Sequence, residues 1–116
     1  MRRNRIVLIV DDSEVTRAAL ASRLKQRGAD VVCASSTQDA LAVDAESITA
    51  AIVDVDLGKG DDGVSLADAL LGRNPRLRLA LFTGHEGDTG ASPSRTTFRK
   101  PDEVDRVIAW ALEEKL

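Results

Sequence analysis

The chain has 116 residues, a length that suits one domain with one core, and its 16 basic and 19 acidic residues leave a formal net charge of −3. That balance, with Arg2, Arg3 and Arg5 as only a short amino-terminal basic cluster and an aromatic share of 3%, excludes a nucleic-acid-binding face and a base-stacking platform. No apolar stretch is long enough to span a bilayer and no signal-peptide core follows Met1, so a membrane role is not expected; the lone Cys33 forms no internal disulfide, which suits a cytoplasmic location.

Strand-like and helix-like segments alternate along the chain. A first strand over residues 5–10 is followed by Ser13, an N-cap for a helix that runs to Arg27 and stops at Gly28. A second strand, 30–34, holds Cys33 at a position expected to be buried. Any of Ser35, Ser36 and Thr37 can cap the next helix, expected to continue through Ala45. The third strand, Ala50-Ala51-Ile52-Val53, leads to Asp54, and a glycine- and aspartate-rich loop from Gly58 to Gly63 follows. A helix over 64–71 buries Leu66, Ala67, Leu70 and Leu71 and ends near Gly72 and Pro75; a fourth strand spans 77–82 and ends at Thr83-Gly84. Residues 84–95 carry glycines, serines and a proline but almost no large apolar side chain, which predicts a mobile loop. A short strand over 96–99 and a last helix opened by Pro101 complete the chain, with Val104, Val107, Ile108 and Ala111 facing inward. Strands alternating with helices predict an α/β fold with a parallel sheet.

Chemistry concentrates at the strand ends. Asp11 and Asp12 close the apolar run Ile6–Val10, Asp54 closes the third strand, and Lys100 stands far downstream. In an open α/β sheet the ligand site lies beyond the carboxyl ends of the strands. Carboxylates clustered there suit a hard divalent cation, and a cation, a reactive Asp and a Lys together describe a phosphoryl-transfer site.

These residues resemble those of a response-regulator receiver domain of two-component signalling. The marks are Asp11-Asp12 after strand 1, Asp54 after strand 3, Thr83 after strand 4 and Lys100-Pro101 after strand 5, and the resemblance covers essentially the whole chain. It implies a doubly wound, flavodoxin-like sheet of five parallel strands in the order 2-1-3-4-5. Leu81-Phe82-Thr83-Gly84-His85 also resembles the signature of the FATGUY subgroup of single-domain receivers, which tends to have a shortened or disordered fourth helix. Only 17 positions separate Thr83 from Lys100, which agrees with that trait.

The resemblance implies roles. Asp54 is the phosphoacceptor, taking a phosphoryl group from a sensor histidine kinase or a histidine phosphotransfer protein. Mg²⁺ is held by Asp11, Asp12, Asp54 and the backbone carbonyl of Asp56. Lys100 pairs with the phosphoryl group, its bond to Pro101 commonly cis in the family, and Thr83 donates its hydroxyl. The chain is then a signalling module rather than an enzyme. It is expected to act without an attached output domain through a downstream protein target or as a phosphate sink or shuttle, as a monomer or weak dimer. Two other readings are a degenerate receiver used for binding alone and an Asp54-Val55-Asp56 enzyme of the dehalogenase-type phosphatase or Toprim class. Neither enzyme class accounts for Thr83 and Lys100-Pro101 together.

The chain also departs from the family pattern. Thr97 stands where an aromatic switch residue is usual, and Phe98 beside it should face the other way. Gly63 lies one position later than is common. His85 at the mouth of the site is either a solvated imidazole or a modulator of water access. Trp110 is either a partner surface or an edge residue packed over strand 5.

Overall fold

The computed structural model describes residues 5–58, 62–84 and 96–113. Along them β1 (Ile6–Val10) leads to α1 (Glu14–Gln26), and β2 (Asp30–Ala34) to α2 (Thr37–Leu41) and a 3₁₀ turn (Ala45–Ser47). β3 (Ala50–Val53) then leads to α3 (Gly63–Arg73), β4 (Arg78–Thr83) precedes β5 (Thr96–Arg99), and α4 (Val104–Ala111) is last. All neighbouring strands pair in parallel, in the order β2-β1-β3-β4-β5. This is the doubly wound, flavodoxin-like arrangement that the sequence implies.

The central strands β1 and β3 read as apolar runs because both their faces are covered. Leu8, Val10, Ala51, Val53 and Leu81 point to one side, where Ala40 of α2 and Leu66, Ala67 and Leu70 of α3 pack on them. Val7, Ile9, Ile52, Ala80 and Phe82 point to the other, under Leu20 and Leu24 of α1 and Val107, Ile108 and Ala111 of α4. The register sets the strand tips level. Val10 lies opposite both Ala34 and Val53, and Val53 opposite Leu81. Whatever follows Val10 and Val53 therefore emerges side by side on one edge. No helix of the described residues is long and apolar enough to cross a membrane.

Local signals explain the helix ends. The Ser13 hydroxyl accepts from the Thr16 N–H at 3.3 Å, the expected N-cap. At the other end Gly28, at φ +92°, turns the chain so that its N–H reaches Lys25 O and the Ala29 N–H reaches Leu24 O. That pair of bonds is the Schellman ending, which needs a residue content in the left-handed region.

Five expectations need correction. α2 ends at Leu41 rather than Ala45: Arg73 Nη1 takes the Leu41 carbonyl at 2.6 Å, and the Asp44 carboxylate accepts the Glu46 N–H to start a separate turn. Cys33 is exposed, because β2 is an edge strand. Pro101 does not open the last helix: the Lys100–Pro101 bond is cis, and α4 starts only at Val104. The intervening turn is closed by the Glu103 N–H to Arg99 O (2.8 Å) and by the Arg99 N–H to Glu103 Oε1 (3.0 Å). β4 starts and ends one residue later than predicted, taking in Thr83, and α3 extends to Arg73 at its far end. His85 and the predicted loop beyond it, with the question of a shortened fourth helix, lie outside the described residues.

Candidate functional site

The level tips of β1 and β3 deliver the acids. Asp54 follows Val53 and donates its N–H to Val10 O (2.8 Å), while Asp11 follows Val10 and donates its N–H to Ala34 O (3.1 Å). Asp11 is buried and held at every polar atom. Its Oδ1 accepts the Ser13 N–H at 2.9 Å, its Oδ2 accepts Lys100 Nζ at 2.6 Å, and its carbonyl accepts Arg17 Nη1 at 2.7 Å. Asp12, next along, is exposed. Each of Asp11, Asp12 and Asp54 presents a carboxylate oxygen, and these oxygens all lie within 4.8 Å of one another.

Asp54 is 7% exposed. Burial first, and the Asp11 charge second, push its carboxyl up from 3.8 to about 6; Lys100 and the Asp56 N–H pull partly the other way. The Asp56 N–H donates to Asp54 Oδ1 at 3.3 Å, and Lys100 Nζ lies 3.5 Å from Asp54 Oδ2. The lysine thus sits between two acids, nearer Asp11. Its own backbone N–H is tied to Thr83 O at 2.8 Å, which joins the end of β4 to the start of the last connection. Thr83 is fully buried at the end of β4, level with Arg99 of β5. Thr97 lies opposite Leu81 and Phe98 opposite Phe82, so the two fall on opposite faces as strand alternation predicts. Trp110 packs against Phe98 with ring centroids 6.1 Å apart, on the β5 side of α4.

Two glycines shape the rim. A Cβ on Gly63 would lie 1.9 Å from the Asp54 carbonyl oxygen, so the first turn of α3 approaches the strand end as only glycine allows. Gly58, at φ +73°, brings the loop against Asp12, whose Oδ2 would be 3.3 Å from an added Cβ. An Asp56–Asp62 bridge and the Gly63 N–H bond to Val55 O (2.9 Å) close that loop.

Sequence reasoning located Asp11, Asp12, Asp54 and Lys100, and the structure brings all four together. It overlooked Arg17 and the close approach of Gly63. Arg17 reads as a polar position of α1, and its only signal is that it lies one turn past the Ser13 cap, close enough to reach back to Asp11.

Three carboxylates gather here, two of them paired with Lys100, and their oxygens are hard donors. The set fits a divalent cation with Mg²⁺-like preferences.

Comparison with known proteins agrees with this geometry. The response regulator receiver domain family matches residues 7–93, and the chain belongs to that family. An NtrX-like response regulator of Rickettsia felis is 35% identical over 81 residues, covering 68% of this chain and 17% of the relative. A cyclic di-GMP phosphodiesterase of Thermotoga maritima is 31% identical over 80 residues, covering 69% of this chain and 21% of the relative. The chain therefore spans about a fifth of the length of these curated relatives. Among solved structures, a Burkholderia pseudomallei response regulator carrying a phosphorylated aspartic acid, a calcium ion and citrate superposes with a TM-score of 0.79. The two share 28% identity over 95% of this chain and 70% of that one. The receiver domain of NtrX from Brucella abortus superposes with a TM-score of 0.78 at 26% identity, covering 94% and 99%.

Proposed function

We propose that this chain is a working phosphoacceptor: Asp54 takes a phosphoryl group from a histidine kinase or a histidine phosphotransfer protein and passes the signal on by protein contact. The observation that carries this is Lys100 Nζ lying between the carboxylates of Asp11 (2.6 Å) and Asp54 (3.5 Å) at the edge of a three-acid cluster.

Asp54, once ionised, attacks the phosphorus of a phosphohistidine or an acyl phosphate. A P–O bond forms to its carboxylate, the P–N or P–O bond to the donor breaks, and the electron pair leaves with the imidazole or carboxylate. Lys100 holds the phosphoryl oxygens as a point charge, and Thr83 donates its hydroxyl to one of them. Arg17 and Ser13 keep Asp11 in place. Gly63 leaves the Asp54 main chain clear. Asp11, Asp12, Asp54 and the Asp56 carbonyl would hold Mg²⁺, which when bound would neutralise charge on the acids and phosphoryl oxygens. The B. pseudomallei neighbour, with its phosphorylated aspartic acid and calcium ion, supports this assignment.

The chain acts in the cytoplasm as a signalling module, as a monomer or weak dimer, and the Leu81–His85 stretch supports a place in the FATGUY subgroup. Against an Asp-x-Asp enzyme stands the side chain of Asp56, which is exposed and turned to the Gly58 N–H at 3.0 Å instead of joining the cluster. Incubation with acetyl phosphate and Mg²⁺ tests the reading: a single phosphoryl adduct that is lost in Asp54→Asn supports it.

A further inference from the structure

The chain holds one tryptophan, two phenylalanines and no tyrosine, and all three aromatic side chains lie on the same face of the sheet. They form one series, or line, across β4, β5 and α4. Lys100 Nζ sits 5.5 Å from the centroid of the Phe82 ring, and Phe82 lies opposite Phe98 in the β4–β5 register. Phe98 packs on Trp110, at 6.1 Å and a 54° tilt, and the Arg78 guanidinium lies 4.6 Å from the centre of the Trp110 ring. A cation closes each end, one belonging to the acidic site and the other to the half-buried outer flank of β4. The preceding register pair, Leu81 and Thr97, falls on the opposite face and carries no aromatic ring.

We infer that this line is the route by which a charge change at Asp54 reaches the α4 face. The inference rests on the phosphoacceptor reading. Lys100 has three attractions to satisfy: the Asp11 carboxylate at 2.6 Å, that of Asp54 at 3.5 Å and the face of Phe82. An anionic group added at Asp54 draws the ammonium towards itself and away from Asp11 and the ring. Phe82, 2% exposed, has no solvent into which to move, so it re-seats against its neighbours, of which Phe98 is the one across β5. Phe98 and Trp110 are half-buried on an edge strand and an outer helix flank, where displacement meets little resistance. Discrete packed arrangements transmit such shifts better than continuous deformation does.

Because Trp110 is the one tryptophan, its emission reads the far end of the line directly. The experiment adds Mg²⁺ and beryllium trifluoride, a phosphoryl mimic, and follows ¹⁹F NMR for the bound mimic and Trp110 emission in parallel. Wild type is expected to show both signals with the same midpoint. Phe82→Leu and the better-tolerated Phe98→Leu are each expected to keep the bound ¹⁹F signal and lose the emission shift. A bound mimic with unchanged Trp110 emission in wild type, or a shift that survives in a folded variant, overturns the inference while leaving the phosphoacceptor reading intact. Absence of a bound ¹⁹F signal in wild type overturns that reading, and the inference falls with it.

Discussion

Lys100 rests on Asp11, at 2.6 Å, and not on Asp54, at 3.5 Å. The lysine is therefore parked on the acid that is better held, since Asp11 is fixed by Ser13, Arg17 and Ala34 as well. Asp54 keeps a raised carboxyl and a weaker claim on the ammonium, an arrangement suited to a group that is to receive charge.

Asp11→Asn removes one of the causes that raise Asp54 and frees Lys100 to pair with it. Both changes act in the same direction, so the Asp54 carboxyl should fall from about 6 towards its ordinary 3.8. A ¹³C NMR titration of the Asp54 carboxyl without metal checks this. An unchanged midpoint would mean that Asp11 and Lys100 hardly act on Asp54.

The raised Asp54 also makes stability pH-dependent. Its protonated form favours the folded state, so this contribution is fully present below about 3.8 and is lost as pH rises through about 6. Urea unfolding of the metal-free protein should show such a decline, on the order of 1–3 kcal/mol. Asp54→Asn should lack this component, remaining the more stable of the two at pH 7.5. Added Mg²⁺ should offset the loss in wild type.

Gly63 and Gly72 offer a paired test of packing. Alanine at 63 would place its Cβ 1.9 Å from Asp54 O, whereas at Gly72, inside α3, nothing lies within 4 Å. Gly63→Ala should destabilise by about 1–3 kcal/mol or more and weaken phosphorylation by displacing the Asp54 main chain. Gly72→Ala should stabilise by up to about 0.5 kcal/mol, since a glycine in the last turn of a helix still carries part of the entropic cost of an interior one. Thermal melts with acetyl-phosphate labelling distinguish the two.

Arg17→Ala takes a charged donor from the Asp11 carbonyl at a partly buried site. A loss of about 1–2 kcal/mol is expected, with weaker Mg²⁺ binding by calorimetry because Asp11 is less firmly placed. Unaltered Mg²⁺ affinity at reduced stability would confine Arg17 to a structural part.

The strand ends were legible because β1 and β3 are covered on both faces, so their hydrophobic runs are continuous and their terminal acids stand out. The short strand Thr96–Arg99 was legible from its neighbours' punctuation. Other features depend on tertiary contacts that leave no local trace. Arg73, thirty-two positions away, takes the Leu41 carbonyl where α2 ends. The paired Arg99–Glu103 bonds close a turn ahead of α4, which starts only at Val104. Cys33 has an apolar strand context but sits on the edge strand β2, and edge exposure follows from strand order, which a single segment does not encode.

The most direct test is the intact mass of the chain after incubation with acetyl phosphate and Mg²⁺, beside Asp54→Asn and an EDTA-treated sample. One added phosphoryl group in wild type, absent from both controls, is the predicted result. An unmodified wild-type mass, with a phosphohistidine donor as well as acetyl phosphate, would contradict phosphoryl transfer to Asp54 and leave the chain a receiver that only binds.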